Sequence, residues 1–217
     1  MDLALLLPVL LFSVVVHEVA HGWAALRQGD PTARDLGRLT LNPIPHLDPI
    51  GSVVFPLVLW ATNAPFLFGW AKPVPVNPAN FREFRRGDII VSLAGIVSNL
   101  ILAGVFTLLT VAFIRVGQAV PSTMAAMDVL QRMAGYGLLI NLVLAFFNLI
   151  PIPPLDGSHV LAHLLPARLR GYYRQVGRYG ILVLMGILFF APGLVSFFLA
   201  PVYILHDLAR SIVLLLV

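Results

Sequence analysis

The sequence lacks cysteine altogether and has few charged residues. With no Cys among its 217 residues, neither a disulfide nor a thiolate metal ligand can form. Only 11% of the residues are charged, against roughly 25% in ordinary soluble domains. No polar stretch is long enough to form a separate soluble core. Because cysteine is absent, any metal ion must be held by His, Asp, Glu, Asn or water.

Apolar residues are correspondingly abundant. They make up 59% of the chain, and the mean hydropathy is +0.92. Several apolar runs approach the length of about 20 residues that a helix needs to cross a bilayer. We therefore predict an all-α polytopic membrane protein with about five to six transmembrane helices. Residues 1–217 are expected to form a single integral membrane domain.

The distribution of basic residues predicts the orientation in the membrane. The net charge of +4 could suggest binding to nucleic acid. In a membrane protein, however, the Lys and Arg residues of the loops indicate which side of the membrane each loop faces, so no nucleic-acid partner is expected. Loops 27–49, 69–87 and 155–178 carry three, four and four Lys/Arg, and loop 115–132 carries two. The three richer loops share the cytoplasmic side only if residues 50–68 re-enter rather than span, and we favour re-entrance.

The expected segments follow from apolar runs and breakers. Helices are predicted over residues 3–26, 88–114, 133–150, 179–190 and 194–217, with a loop at 115–132. Residues 37–41 alternate like a short strand, and the proline-containing segment 69–76 suits an exposed sheet edge. Residues 3–26 could be mistaken for a secretory signal, but they lack a basic start and a cleavage site, so a retained helix is expected.

The motif His17-Glu18-Val19-Ala20-His21 lies inside the first apolar segment. Four residues apart on a helix, the two imidazoles project from one face and can grip one metal ion. Glu18 lies next to that face and can reach a water bound to the metal. The alternative is a buried histidine pair satisfied by hydrogen bonds. Ionisable groups are costly in a membrane, which favours a functional site.

Two histidines are only half of a zinc site, because a catalytic site needs a third protein ligand and an open position for water. Asp156 is the best candidate: it follows a proline-broken helix end, and Gly157 lets the backbone pass closely. Asp156 could instead cap the next helix. His21 and His17 precede Arg27 by six and ten residues, which places the site roughly 9–15 Å inside the membrane boundary.

Two distant motifs together resemble a known family. Residues 17–21 and 148–157 (Asn-Leu-Ile-Pro-Ile-Pro-Pro-Leu-Asp-Gly) are similar to the paired signature of the site-2 proteases, which are intramembrane zinc metalloproteases. Residues 37–43, 46–51 and 68–78 resemble the short, bacterial-type members. The resemblance covers most of the chain up to about residue 180.

The resemblance implies a three-helix catalytic core that binds one Zn²⁺ per chain. The implied zinc ligands are His17, His21 and Asp156, with Glu18 acting on the bound water. It also implies that Asn148 helps to stabilise the reacting carbonyl or to order the site; a helix-to-helix hydrogen bond is the alternative role for this residue.

The implied activity is hydrolysis of peptide bonds in or near transmembrane segments, as in regulated intramembrane proteolysis. Single-span or other membrane proteins are the expected substrates, and the lipid bilayer is the expected surroundings. The implied location is a prokaryotic cytoplasmic membrane, with the active site towards the cytoplasmic side. Ile96 stands where the family usually has a proline, and neither a PDZ-like insertion nor a CBS-like domain is recognisable. The oligomeric state is not predicted.

Two other function classes use the same residues. A metal-ion or proton-coupled transporter could use them as a transit site, although no internal repeat is present. A non-catalytic binder of membrane helices could retain zinc for stability, although Glu18 would then have no purpose.

The remaining histidines are assigned weaker roles. His46 is expected to make a polar loop contact, and His159 and His163 to lie at the membrane interface. His206 is expected in an internal ion pair or on an interfacial face.

Overall fold

The computed structural model describes residues 2–54, 57–58, 61–62 and 71–217. Within these residues the regular secondary structure is helical, and no β-strand occurs. The main helices are α1 (Leu3–Gln28), α2 (Thr32–Asp35), α3 (Phe84–Ala119), α4 (Met124–Asn148), α5 (Asp156–Leu164), α6 (Ala167–Val176), α7 (Gly180–Phe190) and α8 (Pro192–Leu216). The prediction of an all-α fold is confirmed.

Four described helices are long and apolar enough to cross a membrane. They are α1, α3, α8 and the helical stretch Pro121–Asn148 that contains α4. The chain is therefore an integral membrane protein. Helix α7 has 11 residues, which span about 16 Å, well short of a hydrocarbon core of about 30 Å. The predicted total of five to six spans stays a prediction.

Helix α1 confirms the first predicted segment and extends it by two residues. The side chain of Asp2 caps its start by accepting a hydrogen bond from the Ala4 N–H at 3.2 Å. Its end is closed by Gly29, whose φ of +111° is a left-handed conformation that suits glycine. The helix is unbroken between these ends, so it holds the motif of residues 17–21 in a single register.

The predicted loop at residues 115–132 is wrong. Helix α3 runs on to Ala119, and α4 begins at Met124, with one short turn, Pro121–Thr123, between them. The interval between the two predicted apolar helices suggested a loop, but the two helices still pack on each other: a Cβ on Gly117 would lie 3.3 Å from Met127 Cβ. Packing between neighbouring helices therefore extends both beyond their apolar segments.

The long helices pack into a bundle around α3. Helices α1, α3 and α4 contact one another pairwise, α8 packs on α4 and α3, and the short helix α5 packs on α3. One buried cluster joins α3, α4 and α8; it consists of Ala103, Leu138, Leu142, Val202 and Ala209. The contact of α5 with α3 brings the first turn of α5 next to the middle of α1.

The segment between α2 and α3 is described only in part. Residues Pro49–Val54 form a turn of π-helix, but the predicted re-entrant stretch 50–68 and the start of the predicted edge 69–76 fall largely outside the described residues. Residues 37–41, predicted as a short strand, are irregular, because the N–H groups of Gly37 and Arg38 close the end of α2. Residues 71–77, called the strap below, also lack regular structure.

Candidate metal centre

His17 and His21 lie one turn apart on α1, and their rings converge. The ring centroids are 4.6 Å apart, and the two Nε2 atoms are 3.0 Å apart. His17 is buried and His21 nearly so. The spacing of four residues on an unbroken helix produces this arrangement by itself.

Asp156, the first residue of α5, faces the same point. Its Oδ2 lies 3.2 Å from His17 Nε2 and 3.4 Å from His21 Nε2. The N-cap position of α5 is occupied by Leu155, and no side chain caps this helix. The carboxylate is therefore directed at the imidazoles rather than at the backbone of its own helix. The structure brings together the three residues that the sequence singled out as ligand candidates.

Gly157 allows α5 to approach the end of α4. A Cβ at this position would overlap the backbone carbonyl of Leu149, so a residue with a side chain cannot take this path without displacing the backbone. The close approach was expected from the glycine, and it carries Asp156 back to the depth of the histidines.

The three side chains fit a bound metal ion. Ligands at about 2.0–2.1 Å from a tetrahedral zinc lie about 3.3 Å from one another, and the three separations here run from 3.0 to 3.4 Å. Asp156 Oδ2 is buried and has no hydrogen-bond donor. His21 Nδ1 lies 2.7 Å from the carbonyl oxygen of Val91, which can only accept, so the lone pair of His21 is on Nε2. Acceptors that face one another at this distance are joined by a proton or by a bound cation, and one metal ion at their common point would satisfy all three.

Helix α3 provides a flat surface behind the imidazoles because residue 95 is glycine. A Cβ on Gly95 would lie 2.5 Å from His17 Cε1 and 2.6 Å from His21 Nε2. Helix α3 continues through Ile96 without interruption. Ile96, which stands where the resemblance predicts a proline, therefore leaves this contact in place.

Two buried asparagines extend the site into the bundle. Asn99 of α3 has its Oδ1 2.6 Å from His17 Nδ1, and its Nδ2 donates to Asn141 Oδ1 of α4 at 2.7 Å. Both side chains are fully buried. Neither asparagine was predicted from the sequence to have a role. The signal that could have found them is an amide side chain inside an apolar helix, where an unpaired polar group is costly.

The strap holds the carboxylate of Glu18. The backbone N–H of Val74 donates to Glu18 Oε2 at 2.7 Å. The strap is fixed in turn by Arg38, whose guanidinium donates to the carbonyl of Lys72 at 2.9 Å, and by the Lys72 N–H, which donates to the carbonyl of His46. The N–H groups of Val74 and Lys72 thus donate to Glu18 and His46 and not to a neighbouring strand. A β-like edge is therefore not confirmed in the described part of the strap.

Comparison with known proteins identifies the family. The sequence profile of peptidase family M50 matches residues 80–191, slightly more than half of the chain. YwhC of Bacillus subtilis (strain 168), which carries a zinc metalloprotease name, is 42% identical over 84% of this chain and 78% of its own length. The chain belongs to peptidase family M50, the site-2 protease family. Rip2 of Mycolicibacterium smegmatis (strain ATCC 700084 / mc(2)155), also named as a zinc metalloprotease, is 34% identical over 91% of this M50 chain and 71% of its own length. No solved structure was found to match.

Asn148 of this M50 peptidase does not join the three converging side chains. Its Nδ2 donates to the carbonyl of Leu144, one turn earlier on α4, at 2.9 Å. Among the described hydrogen bonds none links it to the metal centre. Its predicted role in catalysis stays a prediction.

The other histidines have partners of their own. His46 is buried, and its Nε2 lies 2.9 Å from the carbonyl oxygen of Thr40, a polar loop contact of the kind expected. His163 is also buried, and its Nε2 lies 2.7 Å from Asp88 Oδ2, a partner that the sequence did not predict. The exposed His159 lies 3.4 Å from the same carboxylate. His206 Nδ1 is 3.8 Å from the neighbouring Asp207.

Proposed function

We propose that this M50 peptidase is an intramembrane zinc endopeptidase, which hydrolyses peptide bonds in or near the transmembrane segments of single-span or other membrane proteins. The observation that carries the proposal is the convergence of His17, His21 and Asp156 between apolar helices, with Glu18 on the same turn of α1. The set offers two imidazoles and one carboxylate, which is typical of a catalytic zinc site with an open fourth position.

In this proposal the protein residues hold and move the reacting groups. One Zn²⁺ bound by His17, His21 and Asp156 would supply Lewis acidity and make a coordinated water acidic near neutral pH. Glu18 takes a proton from the attacking water and later delivers it to the nitrogen of the leaving amine. The Val74 N–H binds Oε2 of Glu18, which leaves Oε1 for the proton. Asn148 has a second amide hydrogen beyond the one that it donates to Leu144, and its proposed role is to stabilise the reacting carbonyl or to order the site.

The strap is the proposed place where an unwound substrate segment lies. It is adjacent to Glu18, and Pro73 and Pro75 have no N–H to pair internally. Strand addition at its edge would hold an extended peptide next to the base. Because the Val74 N–H already donates to Glu18, the substrate backbone must pair with other backbone groups of the strap.

The proposed location is a prokaryotic cytoplasmic membrane with the site towards the cytoplasm. The basic residues of loops 27–49, 69–87 and 155–178 support this orientation under the positive-inside rule.

One experiment separates this function from a metal-ion or proton-coupled transporter and from a non-catalytic helix binder. The purified protein and its Glu18→Gln variant are compared for zinc content and for cleavage of single-span substrates in proteoliposomes. The glutamine oxygen can still accept from Val74, so the fold around the strap is kept while the base is removed. We expect equal zinc content and a loss of cleavage of at least about 100-fold in the variant. Equal cleavage by both proteins would refute the role of Glu18, and an absence of cleavage in both would refute the peptidase. With cleavage absent, zinc uptake into the proteoliposomes, measured in parallel, would support the transporter, and retained zinc without uptake would support the helix binder.

A further inference from the structure

A chain of buried polar side chains leads from the centre of the bundle to His17. Its members are Ser13 on α1, Asn141 on α4 and Asn99 on α3, and all three are fully buried. Asn141 Nδ2 lies 2.8 Å from both the carbonyl oxygen of Gly137 and Ser13 Oγ. Asn99 connects Asn141 to the imidazole. Three helices therefore contribute to one hydrogen-bonded chain that ends on a metal-ligand candidate.

The direction of each hydrogen bond follows from one backbone group. The carbonyl of Gly137 can only accept, so the atom of Asn141 beside it must be the amide nitrogen. The oxygen of Asn141 then faces Asn99 at 2.7 Å, so Asn99 presents its nitrogen there. The oxygen of Asn99 is left facing His17 Nδ1 at 2.6 Å. That ring nitrogen must carry the hydrogen.

Ser13 supports the same direction from the other side. Its hydroxyl donates to the carbonyl of Val9 at 2.8 Å, so its oxygen is free to accept the second amide hydrogen of Asn141. Turning the Asn141 amide over would place its oxygen against the carbonyl of Gly137. Such a reversal would leave buried acceptors facing one another, which is costly where no water can intervene.

We propose that Asn99 and Asn141 are positioning residues that hold His17 in the tautomer with hydrogen on Nδ1. Nε2 of His17 then keeps its lone pair for the metal, at the point shared with Asp156 and His21. His21 obtains the same tautomer from the carbonyl of Val91 directly. Asn141 does not touch His17 and acts only through Asn99. The proposal rests on the proposed function only in taking His17 as a metal ligand.

Zinc affinity provides the first test, measured by chelator competition in detergent. Asn99→Leu keeps the volume and removes the acceptor, and we expect zinc to bind about 10- to 100-fold more weakly. Asn99→Asp keeps an oxygen for His17 Nδ1 and should restore part of the affinity, although its second oxygen then faces Asn141 Oδ1 without a hydrogen between them. Thr107→Val is the matched control, because Thr107 is also buried on α3 and its one hydrogen bond among the described residues goes to the carbonyl of Ala103. Its affinity should equal that of the wild type.

Asn141→Leu tests the action at a distance. It frees the Asn99 amide to turn, so we expect a smaller but measurable loss of zinc affinity, about 3- to 30-fold. Thermal unfolding is followed for every variant, and only those that unfold cooperatively are compared. An affinity equal to that of Thr107→Val in both leucine variants would overturn the proposal.

The second test reads the tautomer in the metal-free protein and needs no peptidase activity. The ¹⁵N spectrum of histidine-labelled protein is recorded above the titration range of imidazole, and the His17 signals are assigned by their loss in His17→Gln. We expect hydrogen on Nδ1 in the wild type and in Asn99→Asp, and a mixture of tautomers in Asn141→Leu. Hydrogen on Nε2 in the wild type would overturn the proposal. Hydrogen on Nδ1 together with a failure of cleavage would count against the proposed function alone.

Discussion

Replacing Gly95 by alanine should damage the metal centre without touching a ligand. The added Cβ would lie 2.5 Å from His17 Cε1, 2.6 Å from His21 Nε2 and 2.7 Å from His17 Nδ1. Ordinary contacts between such atoms are about 3.5–4.0 Å. Both imidazoles would therefore have to move by roughly 1 Å, or α1 and α3 would have to separate.

The expected size follows from the cost of overpacking. Inserting a methyl group into a filled space costs about 1–3 kcal/mol, which corresponds to about 5- to 150-fold in a binding constant. Alanine also favours a helix over glycine by about 0.8–1 kcal/mol. This gain offsets part of the loss in folding stability but does not restore the ligand geometry. Zinc affinity should fall more than thermal stability does.

The assay is zinc titration with a competing chelator, together with cleavage of a single-span substrate at saturating zinc. Gly104→Ala is the matched control, since it lies on the same helix and its Cβ would meet nothing within 4 Å. We expect the control to bind zinc as the wild type does and to be equally or more stable. If Gly95→Ala binds zinc and cleaves substrate like Gly104→Ala, the packing of α3 against the imidazoles is not as described.

Two further predictions concern the ends of α5 and α1. Gly157→Ala should lower the free energy of unfolding by about 1–3 kcal/mol, because its Cβ would overlap the Leu149 carbonyl. Gly171→Ala is the control and should leave the free energy of unfolding unchanged, because its Cβ would meet nothing within 4 Å. Denaturant unfolding in detergent measures both variants, and equal stabilities would contradict the close approach of α5 to α4. Burial raises the pKa of Asp30, but hydrogen bonds from Thr32, Asn80 and Asn77 outweigh it and hold that pKa below its ordinary value of 3.8. Ionised Asp30 therefore stabilises the folded state fully above 3.8, the ordinary value of the unfolded chain. The excess stability over Asp30→Asn should decline below 3.8 and disappear as the pH falls through the lower pKa of the folded state. An excess that persists in stronger acid would contradict the sign.

The segments of the fold that follow from local pattern were predictable. Helix α1 was predictable because its apolar run is bounded by Asp2 and Gly29, which cap it. The loop at residues 115–132 was mispredicted because its helices are supported by contact with each other rather than by their own residues. Such support depends on which faces meet, and local periodicity carries no information about that.

The candidate ligands were predictable to different degrees. His17 and His21 meet because four residues are about one helical turn, so the sequence alone determines their distance. Asp156 was recognisable as a candidate, but its alternative as a helix cap could be excluded only when Leu155 was seen in the cap position. The strap amide on Glu18 joins residues 56 apart. No rule of spacing connects them.

The sequence by itself determined that this chain lies in a membrane and that one helix presents two imidazoles and a carboxylate on adjacent positions. Composition and helical geometry are sufficient for both conclusions. Only the tertiary structure decided which groups surround those side chains: Gly95 behind the rings, Asn99 on His17, and Asp156 in front. These partners lie on other helices, and they meet because α1, α3, α4 and α5 pack in one register, which is a property of the whole bundle.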